Sequence, residues 1–110
     1  MEKFVVPIIP NFLVTPGGTV FPVPSGATGP TPVFNPKGAQ TGAAFTGGRG
    51  GANGQVATMR VMNPTPAVGK APGYPKGDIK YENNSCPRPQ GVDPYSGKTL
   101  PRNEAHFPIE

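Results

Sequence analysis

The sequence has almost none of the side chains that build disulfide frameworks and metal centres. It has one cysteine and one histidine in 110 residues. Cys86 cannot form an internal disulfide, and it has no second cysteine with which to build a zinc site. His106 and the scattered carboxylates offer no ligand pair at helix or strand spacing. We therefore expect no metal site and no cofactor.

The sequence also lacks a long apolar run. No stretch approaches the roughly 18 apolar residues that a membrane-spanning helix needs. The most apolar segment, "FVVPIIPNFLV" near the start, is interrupted by Pro7 and Pro10. A signal peptide has an uninterrupted apolar core followed by a small-residue cleavage site. We therefore expect neither a signal peptide nor a membrane anchor in this segment.

Stretches that could form helix are scarce, because 16 glycines and 17 prolines interrupt the chain every few residues. Either residue is unfavourable inside a helix. That composition alone favours disorder. Evenly spaced apolar groups such as "TVFPV", "VATMRVM", "DIKY" and "HFPI" favour instead a modest ordered core. We expect a small β-rich α+β domain: a compact, twisted antiparallel sheet with long Gly/Pro-rich loops and little helix.

Short alternating segments give the expected strands. In "DIKYE", Ile79 and Tyr81 fall on one face and the three charged residues on the other. The segment around "QVATMRVMN" also alternates, with a short helix beginning at Asn53 as the alternative. "HFPI" predicts a terminal edge strand, because Pro108 cannot donate to an inner ladder. The predicted strands are residues 12–15, 19–23, 40–46, 55–63, 78–82 and 106–109.

The charge balance favours an anionic partner. Ten basic against six acidic residues give a net charge of +4, and basic domains suit nucleic acids because lysine and arginine displace counterions from phosphates. The glycine cluster "TGGRGGANG" has neither the Gly-Lys-Ser/Thr ending nor the following helix of a phosphate loop. It remains a loop with one cation, Arg49, that could contact a phosphate backbone.

Metal-free cleavage of RNA is the chemistry that these residues could support. RNA carries its own nucleophile, the 2′-hydroxyl, so an enzyme needs one base, one acid and a cation near the phosphate. His106 has the intrinsic properties for either proton role. The candidate catalytic residues are His106, Lys80, Arg60 and Thr99. The candidate substrate-binding residues are Tyr81, Tyr95, Lys98, Arg49 and Arg102. The alternative is that these are solvated surface charges and that His106 is an ordinary surface histidine.

Five segments together resemble a known family: "TPGGTVFPVPSGATGPTPV", "AFTGGRGGANGQVATMRVMNPTP", "PGYPKGDIKYEN", "GVDPYSGKTL" and "HFPI". Their order is similar to the C-terminal toxin modules that end bacterial polymorphic toxins of the Rhs-repeat, LXG and contact-dependent inhibition types. The resemblance extends from about Thr15 to Ile109. The sequence departs from the family pattern at residues 86–89, "CPRP", so the role of that loop is left open.

The resemblance implies an antibacterial effector that is neutralised by a cognate immunity protein. Many such modules are metal-independent ribonucleases with a sheet like that of barnase, and a histidine often precedes the final "PI". It implies a junction over residues 1–16 and a monomeric toxin domain over residues 17–110. It further implies delivery as part of a larger secreted toxin and action on tRNA or rRNA in the target-cell cytoplasm. Two alternatives remain: a toxin that transfers ADP-ribose, or a non-enzymatic binding module.

Overall fold

The computed structural model describes residues 11–70, 73–101 and 104–110. Most of the expected junction over residues 1–16 lies outside these ranges, as does Arg102, one of the residues expected to bind substrate. The boundary between residues 16 and 17 stays a prediction.

The described residues form a strand-rich domain with almost no helix, as the sequence predicts, and the strands make two antiparallel sheets rather than one. A two-stranded sheet pairs β1 (Phe12–Val14) with β2 (Val20–Pro22). A five-stranded sheet follows chain order, β3-β4-β5-β6-β7. Its strands are β3 (Thr28–Phe34), β4 (Gln40–Thr46), β5 (Thr58–Met62), β6 (Asp78–Glu82) and β7 (Phe107–Pro108). The alternative of a helix from Asn53 reduces to one 3₁₀ turn, Ala52–Gly54.

The two outer strands of the larger sheet both contain proline. β7 is the edge strand that Pro108 predicts, pairing with β6 through Asp78 and Ile79. β3, at the opposite edge, was not predicted, because its sequence "TGPTPVF" contains two prolines. Proline is tolerated in an edge strand whose N–H groups need no partner. The pairing of β3 with β4 is correspondingly irregular, with register shifts on both sides of residues 31–33.

The hydrophobic core lies between the inner face of the larger sheet and the β1–β2 hairpin. Ile79 and Tyr81 point inward together, as their alternation predicts, and each is only 1% exposed. Phe21 of the hairpin packs over this face, and its ring lies 6.3 Å from that of Phe107. Burying each such side chain stabilises the fold by about 1.5–3 kcal/mol. The core fixes the sheet, and so fixes which residues its opposite face presents to solvent.

Tyr81 is therefore a structural residue, which corrects its assignment as a nucleotide-binding group. Its hydroxyl donates a 2.7 Å hydrogen bond to the carbonyl oxygen of Pro22, and its ring contacts Phe107 edge-on at 6.2 Å. Burial, with a smaller contribution from Tyr95, raises the pKa of Tyr81 well above its ordinary value. A side chain enclosed in this way ties the hairpin to the sheet and has no surface to offer a ligand.

Candidate active site

His106 forms a close pair with Asp78 on the side of the sheet opposite the core. The register places Asp78 opposite Pro108, so His106, two residues earlier, projects from the same face. The Nδ1 atom of His106 lies 2.6 Å from Oδ2 of Asp78. The Asp78 side chain is 4% exposed and that of His106 is 28% exposed. The pair thus joins a buried carboxylate to an imidazole that solvent still reaches.

Tyr74 covers one face of the imidazole. The two rings are stacked, with centroids 5.3 Å apart and planes inclined by 28°. Tyr74 is positioned by the long connection between β5 and β6, where its backbone exchanges hydrogen bonds with Thr65 at 2.8 and 2.9 Å. Burial, and then the charge of Asp78, raise the pKa of the Tyr74 phenol. The imidazole is therefore held at its edge by Asp78 and on its face by Tyr74.

This arrangement suits His106 to proton transfer. An ionised Asp78 accepts a hydrogen bond from Nδ1–H, and in the neutral ring this leaves the lone pair on Nε2. Nε2 can then accept a proton, and the carboxylate stabilises the imidazolium that results. A carboxylate that orients a histidine in this way also restricts the ring to one position. The geometry gives His106 the properties of a general acid or base.

A second charged group lies on the same face of the sheet, further along β6 from Asp78. Arg60 and Lys80 are directly opposite each other on β5 and β6, and both contact the carboxylate of Glu82. The Arg60 Nε–Glu82 Oε1 distance is 3.3 Å, and the Lys80 Nζ–Glu82 Oε2 distance is 3.8 Å. Because the cations are partly exposed, these ion pairs contribute little to stability. Their significance is that they gather two cations around one carboxylate.

A cleft of about 760 Å³ opens beside this charged group. It is wide enough for a nucleotide-sized ligand, since small-molecule sites commonly occupy about 300–1,000 Å³. Ala105, the residue before His106, also lines it; among the described residues that line it, neither Asp78 nor His106 appears. The charged and polar side chains that line the cleft are those of Lys80, Glu82, Arg88, Gln90 and Thr99. The cleft therefore offers cations, a hydroxyl and a carboxylate to one ligand.

The structure brings together part of the predicted site. Lys80 and Thr99 line the cleft, Arg60 joins them through Glu82, and His106 is on the same face of the sheet, paired with Asp78. The other predicted binding residues lie elsewhere. Lys98 is exposed in the turn before Thr99, and Tyr95 is 65% exposed, with its hydroxyl 3.5 Å from the Val20 carbonyl oxygen.

Arg49 is also separate from the cleft and lies in a different groove, which is lined by residues of the glycine cluster and the segment after β6. The fold therefore divides the predicted residues among two depressions, the core and an exposed turn.

Four residues of the candidate site were missed from the sequence. Asp78 and Glu82 were recognised only as charges on the outer face of β6, and Tyr74 only as part of a segment that resembles the toxin modules. Arg88 lies in the loop that departs from the family pattern. The alternation of "DIKYE" already placed Asp78, Lys80 and Glu82 on one face. That signal could have identified the two carboxylates as partners of the predicted cations.

Comparison of the chain with protein-family models, with curated proteins and with solved structures finds no match. In the described part of the chain, no helix is long and apolar enough to cross a membrane. Over the same residues, no three histidine, cysteine, aspartate or glutamate side chains come close enough together to hold a metal ion. The geometry of the cleft and the sequence resemblance are therefore the features that indicate a function.

Proposed function

We propose that this chain is an endoribonuclease toxin domain that cleaves tRNA or rRNA without a metal ion. The observation that carries the proposal is the 2.6 Å contact between His106 Nδ1 and Asp78 Oδ2, on the sheet face whose strand β6 also contributes Lys80 and Glu82 to a charged cleft. An oriented imidazole beside a cationic cleft is the smallest set of groups that can catalyse transfer of the phosphodiester to the 2′-hydroxyl. The resemblance to toxin modules supports the same reaction independently.

In this reaction Glu82 is the general base and His106 is the general acid. The Glu82 carboxylate accepts the proton of the 2′-hydroxyl, whose oxygen attacks the adjacent phosphorus. The bond from phosphorus to the 5′-oxygen breaks, and the imidazolium of His106 donates its Nε2 proton to that departing oxygen. The products are a 2′,3′-cyclic phosphate and a free 5′-hydroxyl. General acid and base groups each accelerate such a step by about 10²–10⁴-fold.

The cations of the cleft stabilise the negative charge that develops on the phosphate oxygens. Lys80 and Arg60 already stand beside Glu82, and Arg88 faces the same space from the loop after β6. Thr99 adds a hydroxyl that can donate a hydrogen bond to a phosphate oxygen. Donors fixed before the substrate arrives cost no reorganisation during the reaction.

The biological setting follows from the resemblance. The domain is delivered to a competing cell as the end of a larger secreted polypeptide, acts there in the cytoplasm as a monomer, and is neutralised in its producer by an immunity protein. The proposal includes a barnase-like sheet with long Gly/Pro-rich loops and a catalytic histidine just before its last strand. The antiparallel five-stranded sheet supports it.

The test is incubation of the purified protein with total RNA, with and without a chelator, followed by mapping of the fragment ends. We expect discrete fragments ending in 2′,3′-cyclic phosphate in both conditions. H106Q should abolish cleavage without unfolding the protein, because the glutamine amide can still donate to Asp78. E104Q, which alters an exposed carboxylate two residues away, is the control and should cleave normally. Intact RNA with consumption of nicotinamide dinucleotide would instead indicate transfer of ADP-ribose.

A further inference from the structure

A second polar depression lies beside the proposed active cleft and has no role in the mechanism above. It is a groove of about 480 Å³, which we call the amide groove. It is formed where the glycine cluster passes the segment that follows β6. The residues that define it here are Arg49, Asn53, Gln55, Asn83, Asn84 and Ser85.

The amide groove and the active cleft share one wall. Glu82 ends β6 in the active cleft, and the next residue, Asn83, already lines the amide groove. The loop over residues 83–90 then returns to the active cleft at Arg88. Asn83 Oδ1 accepts hydrogen bonds from the backbone N–H groups of Ser85, at 3.1 Å, and Gln90, at 2.9 Å. This loop therefore separates the two depressions, and a polymer that occupies both must cross it.

The groove offers amide groups to a ligand. Asn53, Gln55 and Asn84 line it, and none of their side chains takes part in the protein hydrogen bonds of the described residues. Each amide carries donors and an acceptor, the combination that matches the edge of a nucleobase. Among the described residues that line the groove, none is acidic. These are the properties of a base-reading site rather than of a cation site.

Arg49 is the one cationic residue among the described residues that line the groove. Its backbone N–H is held by the carbonyl oxygen of Ser25 at 2.8 Å, and its side chain passes over Gly54, where a Cβ atom would lie 2.8 Å from Arg49 Nε. Gly54 also has a φ of +63°, a conformation that favours glycine. Glycine at this position thus permits both the turn and the close approach of the Arg49 side chain. The guanidinium of Arg49 can form paired hydrogen bonds with a phosphate.

We propose that the amide groove is the binding site for the RNA nucleotide next to the one that is cleaved. Its amides contact the edge of that nucleotide's base, and Arg49 contacts its phosphate. The inference rests on the proposed ribonuclease function and extends it, because it makes the groove the source of sequence preference. The substrate class is single-stranded RNA, whose bases are free to turn into a groove.

The experiment has a binding arm and a cleavage arm. The binding arm measures affinity for the four homopolymeric 2′-O-methyl tetranucleotides, which cannot be cleaved because the 2′-hydroxyl is blocked. The cleavage arm sequences the ends of the fragments produced from total RNA. The variants are N84A, N53G and R49Q. N53G keeps the backbone unstrained, since Asn53 has a φ of 57°. The controls are N63A and K37Q, an exposed amide and an exposed cation at the opposite end of the sheet.

We expect N84A and N53G to reduce the preference for one tetranucleotide by about tenfold, and to relax the sequence next to the cleavage site to the same degree. R49Q should weaken all four tetranucleotides alike and reduce the salt dependence of binding. The controls should match the wild type. Unchanged base preference and affinity in all three groove variants would overturn the inference, even if H106Q abolishes cleavage. If the wild type leaves RNA intact, the proposed function fails, and the binding arm alone then decides whether the groove holds a nucleotide.

Discussion

Replacing Asp78 by asparagine tests the central pair of the proposed site. The change keeps the shape of the side chain but removes the charge that faces His106 Nδ1 across 2.6 Å. The asparagine amide can either donate to Nδ1 or accept from it, so the imidazole is no longer restricted to the tautomer with its lone pair on Nε2. D78N should therefore lower catalysis while the sheet remains folded.

The size of the effect follows from the burial of the carboxylate. The Asp78 side chain is only 4% exposed, so its interaction with an imidazolium is weakly screened. Charge-assisted hydrogen bonds contribute about 1.5–3 kcal/mol, against about 0.5–1.5 kcal/mol for neutral ones. Loss of that difference alone lowers kcat by about tenfold. Loss of the correct tautomer adds to it, up to a total of about 10⁴-fold.

The assay is the rate of RNA cleavage at saturating substrate, together with thermal denaturation of the same samples. E104Q is the matched control, because it makes the same chemical change at an exposed carboxylate close to His106. D78N added to H106Q should cause no further loss, since the two residues act as a unit. A D78N protein with wild-type kcat and wild-type Tm would refute the assignment of Asp78 as the positioning residue for His106.

Three further predictions concern the sheet and the cleft. E82Q should lower kcat by about 10²–10⁴-fold without weakening RNA binding, because it removes a negative charge from the cleft; an unchanged kcat, measured at saturating RNA, would contradict its role as the base. Y81F loses the hydrogen bond to Pro22 and should be about 1 kcal/mol less stable in urea at pH 7. Since the folded state retains the Tyr81 proton that the unfolded chain loses, wild-type stability should be complete below about pH 10 and fall above it; a Y81F variant with the same alkaline loss would count against this cause. G42A should lose about 1–3 kcal/mol, because the added Cβ is driven into the carbonyl oxygen of Val61; a Tm within 1 °C of wild type, measured by circular dichroism, would show that the strands relax more easily than we infer.

The strands with regular alternation were predictable, whereas β3, which contains two prolines, was not. β5 and β6 follow from the period of two in "TMRVM" and "DIKYE", because a half-buried strand requires that pattern. β3 gave no such signal, since Pro30 and Pro32 remove backbone donors that an inner strand would use. Its place at the edge depends on pairing with β4, and this is a property of the whole sheet.

The residue types of the candidate site were predictable from the sequence, but the pairs that these residues form across the sheet were not. His106 stood out as the only histidine, but Asp78 lies 28 residues before it, and only the pairing of β6 with β7 brings them together. Tyr81 shows the opposite case. Its alternation with Ile79 already placed it on the apolar face, and this information conflicted with its assignment as a nucleotide contact. Local pattern therefore indicated which face each residue occupies, whereas the partners across the sheet depended on long-range register.

The prolines at both margins of the five-stranded sheet have a consequence for the behaviour of the protein at high concentration. Pro30 and Pro32 on β3 and Pro108 on β7 leave gaps in the rows of N–H groups that a neighbouring molecule would need in order to add a strand. Continuous addition of strands from one molecule to the next is the step that starts fibril growth. The prolines of β3, which made that strand hard to recognise in the sequence, thus also disfavour polymerisation through the edge of the sheet. Pro108 has the same effect at the opposite edge.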